Sequence, residues 1–424
     1  MTQDVQVWCE QPDGESVLVG RASFVTLREG GPLLSTVFEY APEWIAARDG
    51  YALCPEMPLV RGSMTYSTER LVPGALADSG PDHWGRTLLF AAERKVALRD
   101  GRPARSLHQG DFLLMARDAT RLGALRYSSD EGQTFESPDD RAVPTLVDLP
   151  RLVESARRAI DDEPTDDDLE LLTRAGTSMG GARPKATVRS DDGVPHLAKL
   201  PSSEDRWDVM AWEAVALEIA RRAGIPVPPS KLHRISDDRS ILVLERFDRD
   251  RQGRRVGYMS AHSLVEKTST GEVDYVELVD LLGDVSVDPG ADRRDLFRRV
   301  VLTLLVNNID DHMKNHGLLR VGAGWRLSPM FDVNPFPPVY TATLSTQVRR
   351  VGRASGRSIT VLLEHASAFG VERHEAEQLV AEVAHAVAQW PDIAASLGIE
   401  DPEESTVSRA FATPAADEVR SLLR

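Results

Sequence analysis

Cysteine is almost missing from the 424 residues: Cys9 and Cys54 are the two present. A disulfide framework is therefore excluded, a reducing compartment is expected, and both side chains read as small apolar filler. Nowhere do histidine and cysteine take the spacing of a zinc site, so no such centre is expected, and His83 and His108 read as surface or capping groups. Cations are in deficit, with 50 Lys and Arg against 66 Asp and Glu and a formal charge of −16. That balance opposes unaided binding to nucleic acid or to an anionic membrane, so any contact with DNA is expected to come through a partner. Long apolar runs are absent too. The longest, Val300 to Val306, is far too short to span a bilayer, and Met1 to Gln6 lacks the basic segment and apolar core of a secretory signal. These absences predict a soluble, cytoplasmic protein without a membrane role. No repeat of solenoid length is present.

What remains is a globular composition, 42% hydrophobic, in a chain too long for one core. Residues 5 to 40 hold β-favouring runs, Ser16 to Val19 and Phe24 to Leu27, separated by Pro-Asp-Gly and Gly-Gly-Pro turns, which predicts a small antiparallel sheet. Apolar periodicity predicts helices over Thr87 to Leu98 and Leu107 to Ala119. Ser128 to Pro144 is poor in apolar residues and marks a boundary. The resulting division is an N-terminal subdomain over 1–145, a nucleotide-binding part over 146–280 and a helical lobe over 281–424. The acidic patches Asp161 to Glu163 and Asp166 to Asp168 read as a helix N-terminus and a solvated face.

Ala175 to Val188 is a small-residue loop running into a β-type segment. Its glycines would let backbone N–H groups approach phosphate oxygens, although the pattern is neither of the familiar phosphate-binding fingerprints, and a plain hairpin loop is the alternative. Pro195 to Pro201 carries Lys199 in an apolar strand, where a lysine needs an anionic partner unless it lies at an edge and reaches solvent. Trp207 to Gly224 has helical periodicity and carries Glu213, either a partner for Lys199 or a solvated glutamate. Ser240 to Arg249 is a strand that breaks into Glu245-Arg246-Phe247-Asp248, where backbone groups could meet an adenine edge. Helices are predicted over Val276 to Val287, Leu296 to Asn308, Ser358 to Phe369 and Glu372 to Trp390, with little strand beyond Trp325 to Leu327.

The densest chemistry is in Asn307-Asn308-Ile309-Asp310-Asp311-His312-Met313-Lys314-Asn315-His316. An aspartate followed five residues later by an asparagine is a phosphotransferase spacing: the carboxylate accepts the hydroxyl proton and the amide oxygen holds magnesium. Asp310 and Asn315 fit it, and Asp332, after Ser-Pro-Met-Phe, supplies a second candidate ligand. The plain alternatives are a solvated helix end and a turn former.

In this order the pieces resemble the HipA family, the serine/threonine kinases that act as toxins of bacterial toxin–antitoxin pairs. Gly80-Pro81-Asp82-His83-Trp84-Gly85-Arg86, Phe112 to Asp118, Glu245 to Asp248 and Asn308 to Asn315 carry the resemblance. It implies an α+β, two-lobed kinase-like fold with an N-terminal β-rich subdomain and a mostly α-helical C-terminal lobe. It implies ATP and Mg2+, with Asp310 as catalytic base, Asn315 and Asp332 on the metal, and Lys199 on the phosphates. Ser178, Met179, Gly180, Gly181, Ala182 and Lys185 would form the phosphate loop, Glu245 and Phe247 the adenine-contacting hinge, with His312 and Lys314 also in the nucleotide site. Ser178 matches an autophosphorylated serine of the family. Further implications are a protein substrate such as an aminoacyl-tRNA synthetase and a small HipB-like DNA-binding antitoxin. The loop departs from the family's common Gly-Ala-Gln-x-Lys at Arg183-Pro184. A small-molecule kinase and a non-catalytic binding module are the competing readings.

Overall fold

The computed structural model describes residues 1–28, 30–68, 70–137, 143–176, 181, 183–265, 273–338, 346–349 and 356–424. The chain divides into two units, Met1–Arg206 with Val243–Met259, and Trp207–Leu242 with Ser260–Arg424.

The first unit opens with the antiparallel strands β1 (Thr2–Glu10), β2 (Ser16–Thr26) and β3 (Leu33–Tyr40). β4 (Ser63–Tyr66) and β5 (Leu125–Ser128) complete a sheet of order β4-β3-β2-β1-β5. Alternation sends Val5, Val7, Phe24, Phe38 and Tyr127 to one buried face. The β1–β2 register shifts between Val7 and Trp8, so Val19 is skipped by the ladder and buried. The predicted sheet is therefore present, and larger than residues 5 to 40.

Helices follow the apolar periodicity with sharper ends. The first covers His83–Arg99. The segment expected over Leu107 to Ala119 is a shorter helix, Gln109–Met115, then a 3-10 turn at Asp118–Thr120. His108 caps that helix: its ring accepts from Asp111 N at 3.2 Å while Asp111 accepts from His108 N at 2.9 Å.

The acidic patches need one correction. Thr165 and Asp168 form a capping box at the start of Asp166–Arg174, but Asp168 is buried rather than solvated. Arg158 Nε binds it at 2.7 Å and Ser155 Oγ at 2.6 Å. The Arg158 hydrogen bonds outweigh burial and hold its carboxyl far below the usual range.

Strands β6 (Lys185–Arg189) and β7 (Pro195–Lys199) form an antiparallel hairpin, and β9 (Arg239–Glu245) lies on the other side of β7. Behind β9, Arg246 grips Asp248 through two bonds of 2.9 and 2.7 Å, and Arg249 adds a third at 2.6 Å. Gly123 N donates to the same carboxylate at 2.8 Å, and Arg246 donates to the carbonyls of Thr120 and Arg121. Asp118 likewise pairs with Arg126 and Arg255. This buried charge network fastens the segment after β9 to the approach to β5.

The second unit is mostly helical. Its longest helix, Pro289–Leu305, packs against Tyr275–Val285 and Arg373–Ala388. Helix Val209–Arg222 is buried nearly all round, and Trp212 sits 6.0 Å from Trp390, which stacks on Phe411 at 4.5 Å. Ser358 caps Ile359–Glu364, followed by a 3-10 segment at Ala366–Phe369 where one helix was expected. β8 (Ser230–Ser236) runs beside β9, and the short strand β10 is Tyr258–Ser260. The hairpin of β11 (Gly317–Val321) and β12 (Gly324–Leu327) corrects the expectation of little strand: its first arm reads on directly from the polar cluster, which hides it in the sequence.

Candidate active site

In the first unit the register of β6 and β7 sets Lys185 directly opposite Lys199. Directly paired residues of antiparallel strands share a face, so two ammonium-bearing side chains leave the sheet on one side. They are 5% and 6% exposed. β7 is an inner strand between β6 and β9, so the edge-lysine alternative for Lys199 is excluded. Gly181, with φ +103°, lies just before them, and a Cβ there would collide with the Lys185 ammonium. Arg183 pairs with Asp205, whose carboxylate also accepts from Ser202 N at 2.9 Å. The departure at Arg183 is thus a tether between the loop and the segment after β7. Ser178, Met179, Gly180 and Ala182 lie outside the described residues. Glu245, the last residue of β9, is half-buried, and just past it the Phe247 ring stacks on Tyr258 at 6.3 Å.

In the second unit, the long helix stops at Val306 and Asn307 takes a left-handed φ of +50°, a conformation that asparagine tolerates well. Asn308 N closes the end onto Thr303 O at 3.0 Å, and Asn307 Nδ2 donates to Phe336 O at 2.7 Å. That bond ties the helix end to the segment following Asp332. Asp310 is exposed on the turn that follows, and a 3-10 turn over Met313–Asn315 brings the Asn315 amide back so that Nδ2 donates to Asp310 O at 3.1 Å. The spaced Asp310 and Asn315 are therefore joined. With its nitrogen committed to the backbone, the amide offers its oxygen to a ligand.

Asp332 is half-buried with φ +59°. The segment before it is aligned by Asp292, which accepts from Arg326 Nε at 2.9 Å and Leu327 N at 3.3 Å, and by Arg299, which donates to Ser328 O at 2.6 Å. Met330 N is held on Pro226 O at 2.7 Å. His312 is half-buried and Lys314 exposed. Glu213 is 1% exposed, which removes its solvated reading.

Five buried polar atoms in these stretches, Nδ2 and Oδ1 of Asn308, Nδ1 of His312 and of His316, and Oδ1 of Asn334, have no hydrogen-bond partner among the described residues. Among the described residues no cluster of three His, Cys, Asp or Glu could hold a metal.

The HipA-like C-terminal domain model matches residues 177–390, which is half of the chain, and the HipA N-terminal domain model matches residues 17–108. The chain belongs to the HipA family. Its fold is α+β and kinase-like, and the HipA chain in the Shewanella oneidensis MR-1 complex of HipA, HipB and operator DNA shares it. The two superpose with a TM-score of 0.68 over 98% of this chain and 99% of that one, at 15% identity. Among sequences, the "Putative kinase Y4mE" of Sinorhizobium fredii is 26% identical over 252 residues, and a "Putative kinase" of Haemophilus influenzae 24% over 193. These matches cover 53% and 40% of this chain, and only 57% and 56% of the two relatives. No helix among the described residues is long and apolar enough to cross a membrane.

Within this HipA-family chain some residues stand out that their types and spacing did not announce. Asp311, next to Asp310, is buried; it accepts a hydrogen bond from Tyr275 Oη and lies 3.2 Å from His316 Nε2. Its backbone oxygen accepts from Thr346 N and Oγ1 at 2.7 and 3.0 Å, and Arg357 donates to Asn308 O at 3.1 Å. The doubled aspartate was the available signal: one copy is for solvent and one for the interior. Arg246 and Asp248 of the expected hinge face inward to the charge network.

Proposed function

We propose that the protein is a Mg-ATP-dependent serine/threonine protein kinase that acts as a growth-inhibiting toxin. The observation that carries this reading is the Asp310–Asn315 pairing: an exposed carboxylate on a turn whose backbone is held by the amide expected to bind metal. Asp310 orients the attacking hydroxyl and accepts its proton. Lys185 and Lys199 bind phosphate oxygens, and the orientation of the amide leaves Asn315 Oδ1 for a hard cation. Asn315 and Asp332 would hold magnesium, a hard cation that prefers oxygen ligands and needs few of them from protein. When bound, the ion offsets charge on the phosphates.

The substrate on this reading is a protein hydroxyl, with a translation factor such as an aminoacyl-tRNA synthetase the leading class. The partner is a HipB-like antitoxin through which DNA is reached, in keeping with the charge of −16 and with the HipA–HipB–operator complex of Shewanella. Ser178 is the proposed autophosphorylation site: about −1.5 to −2 charges there would compete with nucleotide phosphates for Lys185 and switch the enzyme off.

Incubation of purified protein with γ-labelled ATP and cell lysate tests the assignment. Label should pass to protein with the wild type and not with Asp310→Ala. Equal labelling by both removes the proposed base, and label confined to small molecules makes the enzyme a small-molecule kinase. Phosphopeptide analysis after brief induction then names the substrate. Phosphate on Ser178 in the wild type but not in Asp310→Ala marks autophosphorylation.

A further inference from the structure

We infer that Asp82 is a positioning residue for the phosphate site, acting from the N-terminal domain on the loop that begins the C-terminal one; the inference rests on the kinase reading above. Asp82 occupies the N-cap position of helix His83–Arg99, where aspartate ordinarily accepts from its own helix, yet here it makes no such bond. Its Oδ2 instead accepts from Gly181 N at 2.9 Å, across 99 residues of sequence. The clamp has a second arm. Trp84, in the first turn of that helix, uses a backbone N–H that no helical carbonyl can satisfy and donates it to Gly181 O at 3.4 Å. Its indole Nε1 donates to Lys185 O at 3.2 Å. Both backbone polar groups of Gly181 and the carbonyl of Lys185 are therefore held by residues 82 and 84.

What the clamp fixes is the start of β6 and with it the Lys185 side chain. Gly181 has φ +103° and passes so close to Lys185 Nζ that a Cβ would strike it. A loop released from Asp82 would lose this close approach and the alignment of Lys185 with Lys199. Asp82 lies within the stretch matched by the HipA N-terminal domain, and Gly181 and Lys185 within the C-terminal one. The N-terminal domain thus supplies a part of the nucleotide site without touching nucleotide.

The carboxylate acts here as a hydrogen-bond acceptor, which asparagine can replace and alanine cannot. A negative charge near the phosphates would by itself weaken their binding, so the two ideas predict opposite signs. With full-length protein, Asp82→Ala should raise KM for MgATP about tenfold and change kcat by less than about threefold, as expected for loss of a hydrogen bond to a charged group. Asp82→Asn should stay within about threefold of wild type in both. Trp84→Phe, which keeps the packing and removes Nε1–H, should raise KM in the same direction.

Hydrogen exchange at the Gly181 amide gives a reading without nucleotide. It should quicken about tenfold in Asp82→Ala, with the apo melting temperature close to wild type. A KM unchanged in Asp82→Ala, a tighter KM in both Asp82 variants, or unchanged Gly181 exchange overturns the inference. A wild type that binds no MgATP overturns the kinase reading and the positioning role together. A wild type that binds MgATP with an indifferent Asp82→Ala overturns the positioning role alone.

Discussion

Lys185 and Lys199 are a direct cross-strand pair of β6 and β7, both buried and on one face of the sheet. Like charges placed opposite one another are costly, and on the proposed function the nucleotide phosphates offset that cost. Each lysine to phosphate contact is a hydrogen bond between charged groups, worth about 1.5–3 kcal/mol. Lys199→Met should therefore weaken MgATP binding by about tenfold or more, and Lys185→Met by a comparable factor. Isothermal titration decides it: affinities within a factor of two of wild type would remove the lysine pair from the phosphate site.

The network around Asp248 predicts a purely structural effect. Asp248 and its partners Arg246 and Arg249 are buried, and Gly123 N completes the set. Asp248→Asn removes the charge while keeping the shape, and leaves two buried guanidinium groups without their counter-ion. The expected loss is about 3–5 kcal/mol of unfolding free energy, measured by urea denaturation. Nucleotide affinity, extrapolated to conditions where the variant is folded, should change little, because the Asp248 carboxylate is taken up by Gly123 N and the Arg246 and Arg249 guanidinium groups.

Asp248 and Asp118 also contribute to the acid sensitivity of the first unit. Burial pushes Asp248 and Asp118 upward, but Arg246 and Arg249 in one case, and Arg255 and Arg126 in the other, outweigh it and leave both below the usual carboxylate range. A carboxyl with a depressed folded value contributes stability that is fully present above its unfolded value, about 3.9, and is lost as pH falls toward the folded value. The urea midpoint should accordingly hold steady down to about pH 5 and fall steeply below about pH 4. Asp248→Asn should start lower and fall less steeply.

The sequence was legible where chemistry repeats along the chain and silent where it closes across it. The helix leading into the polar cluster, expected over Leu296 to Asn308 and found over Pro289–Leu305, the strand bearing Lys199 and the Asp310-to-Asn315 spacing were readable because periodicity and short-range spacing are local. Asp168 was misread because an acidic patch at a helix start carries no mark of which carboxylate turns inward to Arg158, ten residues away on another helix. β11 was missed because a strand starting one residue after an ionisable cluster has no polar boundary. Arg183 stood out as a departure whose partner, Asp205, lies 22 residues on, and nothing along the chain pointed from Asp82 to Gly181. Each depends on a partner that the chain brings near only on folding.

Asp310 and Asp311 give the sharpest contrast, since neighbours of identical chemistry are assigned opposite duties by one turn of backbone. Asp310 is exposed, and the anchor of its turn is its own carbonyl, taken by Asn315, so replacement of its side chain leaves that anchor in place. Asp310→Asn should leave the melting temperature within about 2 °C of wild type, as is usual for surface positions, and lower kcat by about a hundredfold or more through loss of the base. Asp311 is buried and bonded to Tyr275 and His316, so Asp311→Asn disturbs that interior set. It should cost about 1–3 kcal/mol of stability, the range for a buried hydrogen-bonded group left imperfectly paired. Activity should fall in proportion to the displaced turn and recover in part at lower temperature. Thermal denaturation and phosphoryl transfer measured on both variants separate the roles. A stable but dead Asp311→Asn beside an active Asp310→Asn would reverse the assignment and make Asp311 the base.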